Sequence, residues 1–142
     1  MSSFVVDASV TCSWILDDEA CDYADAVMDR LAEDTALAPA LWSLEISNVL
    51  LLAERRKRAT SARILELRDQ LAVLGIQEEA YSQTRVFASI IPLATAHGLT
   101  AYDAAYLELA RRRSIPLATL DKALRRAADA EGVAILNASK NS

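Results

Sequence analysis

Phe4-Val5-Val6-Asp7-Ala8-Ser9 is the stretch whose reading decides the fold. An aromatic and two β-branched residues follow one another with no polar alternation, which suits a strand buried on both faces in the middle of a parallel sheet. The run then stops at a carboxylate. Asp is a favoured N-cap, so Asp7 reads first as the start of a helix. In open α/β sheets ligands collect outside the carboxyl ends of strands, so Asp7 also stands where such a sheet would bind something.

Outward from this run the chain alternates between strand and helix patterns. A helical stripe of Val10, Trp14 and Ile15 covers 9–16 and is broken by Asp17-Asp18-Glu19; helical spacing resumes over 19–32 with Ala24, Val27, Met28 and Leu31. A second strand is expected at 35–38, before Pro39. A long helix follows over 40–58, ending in Arg55-Arg56-Lys57-Arg58, and another over 60–74 capped by Thr60 or Ser61. A third strand is expected at 75–78. The helix pattern of 80–97 contains Pro92, which should kink or split it, and ends at Gly98. A helix over 102–113, a strand at 115–118, a helix over 121–131 and a last strand at 133–136 complete the pattern. Strands alternating with helices imply parallel pairing through right-handed crossovers. The expected class is α/β, three-layered, with a small, mainly parallel sheet of four or five strands. No repeat or linker offers a boundary, so 1–137 reads as one domain and 138–142 as a frayed polar tail.

The totals narrow the function classes. A chain of 142 residues can bury about 68–70% of its unfolded surface, and with 53% hydrophobic residues and only 3 Gly and 3 Pro it should be compact and helix-rich. The net charge of -5 argues against attraction to nucleic acid through the global field, so any such binding needs local basic patches or a bridging cation. Cys12, Cys21 and the single His97 cannot assemble a zinc pattern. There is no basic segment ahead of the first apolar run and no stretch of about 18 apolar residues, so a reducing cytoplasm is the expected compartment and no membrane partner is expected.

The facing of the acids is the most informative pattern. At 3.6 residues per turn, Ser43, Ser47 and Glu54 form the solvent stripe of the helix from 40, whereas Glu45 falls on the opposite side with Leu41, Trp42, Val49 and Leu52, next to Asn48. On the helix from 102, Ala105, Glu108 and Arg112 read as solvent-facing, and Asp103 points the other way with Tyr106, Leu107 and Ala110. Thr100-Ala101-Tyr102-Asp103 also matches a capping box, and Asp121 suits an N-cap after the strand at 115–118. Removing a carboxylate from water costs several kcal/mol unless it is paired or binds a metal. Three or four converging acids require a counter-charge, and oxygen-only ligation suits Mg²⁺ or Mn²⁺ rather than zinc.

Val5-Val6-Asp7-Ala8-Ser9, Leu44-Glu45-Ile46-Ser47-Asn48-Val49, Thr100-Ala101-Tyr102-Asp103-Ala104-Ala105-Tyr106-Leu107 and Leu117-Ala118-Thr119-Leu120-Asp121 resemble, in order and spacing, the four acidic motifs of PIN-domain ribonucleases. The likeness covers nearly the whole chain, and its size is most similar to the VapC-type toxins of toxin–antitoxin pairs. The resemblance implies a PIN-like α/β/α fold and endonucleolytic RNA cleavage at a Mg²⁺ (or Mn²⁺) site of Asp7, Glu45, Asp103 and Asp121, with Thr119, Ser9 and Asn48 as accessories. It further implies an RNA substrate, a cognate antitoxin protein and a homodimer or toxin–antitoxin hetero-oligomer. The Arg55–Arg58 and Arg111–Arg113 runs read either as RNA-backbone contacts or as solvated helix ends favoured by the dipole. His97 reads as a structural residue at a helix end, and Trp14 and Trp42 as core.

Rival readings are a PIN-type nuclease of RNA processing, a phosphatase of the haloacid-dehalogenase type, a receiver domain and a non-catalytic binding module. The phosphatase chemistry wants a second Asp two positions after the first, where this chain has Ser9. A receiver domain wants a paired acid at the first strand and a lysine after a late one.

Overall fold

The computed structural model describes residues 2–138. Four strands, β1 (Ser3–Val6), β2 (Thr35–Pro39), β3 (Gln77–Glu79) and β4 (Leu117–Ala118), form a sheet in the order β3-β2-β1-β4 that is parallel throughout. β1 is an inner strand. Its Val5 pairs with Leu37 on one side and Leu117 on the other. Alternation along β1 divides the core in two, as a period of two dictates. Phe4 and Val6 pack with Val10, Ala24 and Val27, while Val5 packs with Trp42, Ile46, Tyr106, Leu107 and Leu124.

The first of these cores lies under α1 (Ala8–Ile15) and α2 (Asp22–Arg30). The second is covered by α3 (Trp42–Arg55), α4 (Ser61–Ala72), α6 (Ile91–His97), α7 (Ala101–Arg113) and α8 (Lys122–Ala130), with a single turn, α5 (Gln83–Arg85), leading into α6. Both tryptophans tie helices together through their indole N–H. Trp42, buried, donates to Thr11 Oγ1 at 3.0 Å, and Trp14, half-buried, donates to the Ala24 carbonyl at 2.8 Å. A buried indole needs such a partner.

Three expectations are corrected. The helix expected over 80–97 begins at Gln83 and is interrupted just ahead of Pro92: after α5 the backbone widens into a π turn, Val86–Ile90, in which the Ile91 N–H reaches the Val86 carbonyl, and continues through helical dihedrals into α6. Pro92 thereby falls in the first turn of a helix, where its missing N–H breaks no bond. The last strand is reduced to a bridge between Leu117 and Ile135, because β4 has two residues and offers no longer ladder. The helix expected over 19–32 begins at Asp22, since Asp17–Glu19 form a separate 3-10 turn. Of the polar tail, Ala138 is buried, and 139–142 lie outside the described residues.

The largest departure concerns α7. Glu108 and Ala105, expected in solvent, are both 3% exposed. The reason is that α7 packs against the sheet on one side and against the π turn and α6 on the other, so two faces are covered rather than one. Glu108 tolerates burial because its Oε1 accepts from Arg85 Nη1 and Arg112 Nε, both at 3.0 Å. A buried charge that is paired and hydrogen-bonded escapes most of the desolvation penalty.

This burial pattern gives a stability prediction. Leu107→Ala, at a position with no solvent exposure, should lower the unfolding free energy by roughly 2–5 kcal/mol through transfer and cavity costs. Val73→Ala, on the exposed side of α4, should change it by less than about 0.5 kcal/mol. Urea denaturation of both variants measures the contrast, and equal effects would contradict the position assigned to α7.

Candidate active site

The carboxyl ends of β1 and β4 lie side by side, since Val6 pairs with Ala118 and the Asp7 N–H donates to the Ala118 carbonyl at 3.2 Å. Asp7 therefore enters α1 next to the turn that leads from β4 into α8. Its carboxylate is 2% exposed and fully engaged. Oδ1 accepts from Ser9 Oγ at 2.7 Å and from the Val10 N–H at 3.1 Å, and Oδ2 accepts from Thr119 Oγ1 at 2.5 Å. The cap reading and the site reading thus hold together, because the Val10 bond is the helix cap. Ser9 Oγ in turn accepts from the Leu120 N–H at 2.9 Å, and Thr119 Oγ1 from the Asp121 N–H at 3.0 Å. Asp121 caps α8 through the Leu124 N–H.

Asp103 sits in the first turn of α7, whose N-cap Thr100 accepts from the Asp103 N–H at 3.0 Å. The Thr100 hydroxyl also bonds the Asp103 carboxylate, which offsets part of the rise that burial causes there. Glu45 sits in the first turn of α3, a helix whose start is held from β3 by Glu78, which accepts from the Ser43 N–H and hydroxyl. Glu45 is half-buried at the border of the packed face of Trp42, Ile46 and Leu50, not at its middle as the wheel places it. Its Oε1 accepts from the Tyr106 hydroxyl at 2.6 Å. Asn48 is exposed on α3.

The four acids feel one another. Burial chiefly raises the Asp7 carboxyl to about 6, the three donors to it counteract this only in part, and the charge of Asp103 adds to the rise. Asp103 is raised by burial and then by Asp121, and Glu45 by burial with a further push from Asp103. Asp103 is therefore the member linked to each of the others: its charge raises Asp7 and Glu45, and the charge of Asp121 raises it. Among the described residues no arginine or lysine forms an ion pair with any of the four. Nor do three Asp, Glu, His or Cys side chains there come close enough to hold one ion jointly. Like charges with nothing between them have no cause to close up.

A family model described as PIN domain matches residues 4–130. The chain belongs to the PIN-domain family. Ribonuclease VapC3 of Pyrobaculum aerophilum is 29% identical over 120 residues, which is 84% of this chain and 90% of that protein. Among solved structures, FitAcB from Neisseria gonorrhoeae superposes with a TM-score of 0.65 at 21% identity, covering 95% of this chain and 97% of that one. VapBC2 from Rickettsia felis, bound to a DNA fragment from its promoter, gives a TM-score of 0.64 at 10% identity, covering 95% and 98%. These two likenesses are of fold.

Within this PIN domain the basic runs stand apart from the acids. Arg111–Arg113 end α7 eight to ten residues beyond Asp103, about 12–15 Å along the helix axis. They are engaged: Arg111 pairs with Glu131 at 2.6 Å, Arg112 with Glu108 at 3.0 Å, and Arg113 with Glu79. Arg55–Arg58 lie at the far end of α3 from Glu45, and Arg58 pairs with Asp18 at 2.7 Å. The single histidine is structural, as expected. His97 Nε2 lies 2.7 Å from Glu131 Oε2, just past the end of α8 opposite Asp121, and that bond and Arg111 hold the Glu131 carboxyl below its usual range.

Two participants were not singled out from the sequence. Tyr106 was read only as inward-facing; its place three residues after Asp103 was the available signal, since residues that far apart share a helix face. Arg125 gave none: its Nε donates to the Thr119 carbonyl at 2.8 Å while its guanidinium lies 4.8 Å from the centre of the Tyr23 ring, fixing the β4–α8 turn from outside.

Asp7 supplies a pH prediction. A carboxyl raised from 3.8 to about 6 on folding binds its proton more tightly in the native state, so its stabilising contribution is complete at low pH and is lost as pH rises through about 6. In metal-free buffer, the stability of Asp7→Asn relative to the parent should therefore shift in the variant's favour by about 2 kcal/mol between pH 4 and pH 8. Chemical denaturation at the two pH values reads this difference, and a constant difference would refute the shift.

Proposed function

We propose that the chain is a metal-dependent endoribonuclease, the toxin of a toxin–antitoxin pair, acting in the cytoplasm. What supports this reading is a PIN domain in which Asp7 and Asp121 flank the adjacent ends of β1 and β4, while the charge of Asp103 acts on Asp7 and Glu45 and that of Asp121 acts on Asp103, with no arginine or lysine paired to any of the four among the described residues. The relative named Ribonuclease VapC3 supports the substrate class. The complexes FitAcB and VapBC2 support the fold side of the toxin reading.

The donor chemistry fits Mg²⁺ or Mn²⁺. Four carboxylates and two hydroxyls offer hard oxygens only, the set these ions prefer. Burial chiefly raises three of the carboxyls and mutual charge adds to it, and a divalent cation would offset both. When bound, such an ion lowers the pKa of water to make a nucleophile and neutralises charge on the scissile phosphate. Asp7 would hold it most rigidly, because Ser9, Val10 and Thr119 fix both of its oxygens. Asp103 would join from α7, Glu45 from α3 and Asp121 from the head of α8. With His97 tied to Glu131, no histidine is available to move protons here, so the carboxylates themselves would orient the attacking water. The acidic net charge is then no obstacle to an RNA substrate, since the cation bridges carboxylate and phosphate.

An antitoxin segment would find a groove with an apolar floor of Ile15, Leu16, Leu50, Ala53, Ile64 and Leu67 and a charged rim of Asp17, Asp18, Arg58 and Arg63, between the end of α1 and the α3–α4 pair. An amphipathic helix laid in such a groove is a common recognition mode. Exposed Phe87 and Ile91 support pairing with a second copy.

The test is cleavage of a single-stranded RNA by purified protein with Mg²⁺ or Mn²⁺. Asp7→Asn and Asp103→Asn should each reduce the rate by at least about 100-fold, and EDTA should abolish it. Undiminished cleavage by both variants would overturn the site, and metal-independent cleavage would overturn the cofactor.

A further inference from the structure

We propose that Tyr106 is a positioning residue for the metal site: its hydroxyl fixes Glu45 for cation binding. This rests on the reading of Glu45 as a ligand given above. Tyr106 has no solvent exposure, whereas the three other tyrosines are half-buried or exposed. Its ring is part of the central core, a duty phenylalanine would discharge equally well. The hydroxyl is the extra feature. A buried hydroxyl must find a partner, and here the partner is Glu45 Oε1 at 2.6 Å rather than a backbone carbonyl.

The bond is short and charge-assisted, and it crosses between two helices. Glu45 reaches the acid group from α3 on a flexible side chain, and among the described residues it has no arginine, lysine or second hydrogen-bond donor to hold it. Tyr106 pins one oxygen and leaves Oε2 for a ligand. Tyr106 follows Asp103 by three residues on α7, so one helix face carries both an acid whose charge reaches Glu45 and the donor that sets the position of Glu45. A carboxylate ligand is commonly oriented by a donor behind it, and losing that donor typically costs 10–100-fold in metal affinity.

The experiment is Mn²⁺ binding by titration calorimetry to the parent, Tyr106→Phe, Glu45→Gln and the double variant, with RNA cleavage over a Mn²⁺ series alongside. Tyr106→Phe should weaken Mn²⁺ binding by about 10-fold and move half-maximal cleavage to higher Mn²⁺. The double variant should bind no more weakly than Glu45→Gln alone, because the hydroxyl acts through that carboxylate. Glu45→Asp keeps the charge but withdraws it by one methylene, and it should weaken binding without requiring any change in the core. Unchanged affinity in Tyr106→Phe, or a loss that adds in full to that of Glu45→Gln, would overturn the inference, as would Mn²⁺ binding by Glu45→Gln equal to the parent, which leaves the nuclease reading standing. A parent protein that neither binds Mn²⁺ nor cleaves RNA overturns both.

Discussion

Asp7 is a carboxylate taken out of water and supported only by neutral donors. Two side-chain hydroxyls and one backbone N–H satisfy it, and in doing so they join β1, α1 and the β4–α8 turn into one unit. Burial still outweighs those bonds, which is why its carboxyl is raised to about 6. A core that only had to be stable would gain by placing a neutral side chain there. A buried acid with a raised pKa is more often found at a functional site than in a purely structural core, and the proposed cation site rests on that acid.

The other acids extend the same design. Asp103 and Asp121 leave the first turn and the cap of their helices on short side chains, so backbone geometry sets their direction, whereas Glu45, on a longer side chain, accepts from the Tyr106 hydroxyl. Asp121 serves two ends at once, capping α8 while its own N–H holds Thr119, which in turn holds Asp7. The cap uses only Oδ1 of Asp121. The chain balances charge internally in the Glu108–Arg85–Arg112 and His97–Glu131–Arg111 groups and where Arg112 and Arg113 pair with Glu79, the last residue of β3.

Much of this was legible in the sequence, for definite reasons. Phe4-Val5-Val6 has no polar member, and a strand with both faces buried follows directly. Thr60, Thr100 and Asp121 announce their helices by short side chains that accept from the backbone three residues on. The wheel located Asp103 and Glu45 on inward sides but failed for Glu108 and Ala105. A wheel divides a helix into one buried and one solvated half, and α7 has covers on two sides. The π turn at Val86–Ile90 lies just ahead of Pro92, whose presence marked an interruption of the helix but not its form. Tyr106 showed its depth but not its partner, because the Glu45 contact spans 61 positions.

The central claim is that the acids at the carboxyl end of this sheet form a cation site. Anomalous diffraction from crystals soaked in Mn²⁺ tests it most directly. The account predicts a manganese peak among Asp7, Glu45, Asp103 and Asp121, with the Asp7 carboxylate in contact. A peak confined to other carboxylates, or none among these four at saturating Mn²⁺, would contradict it.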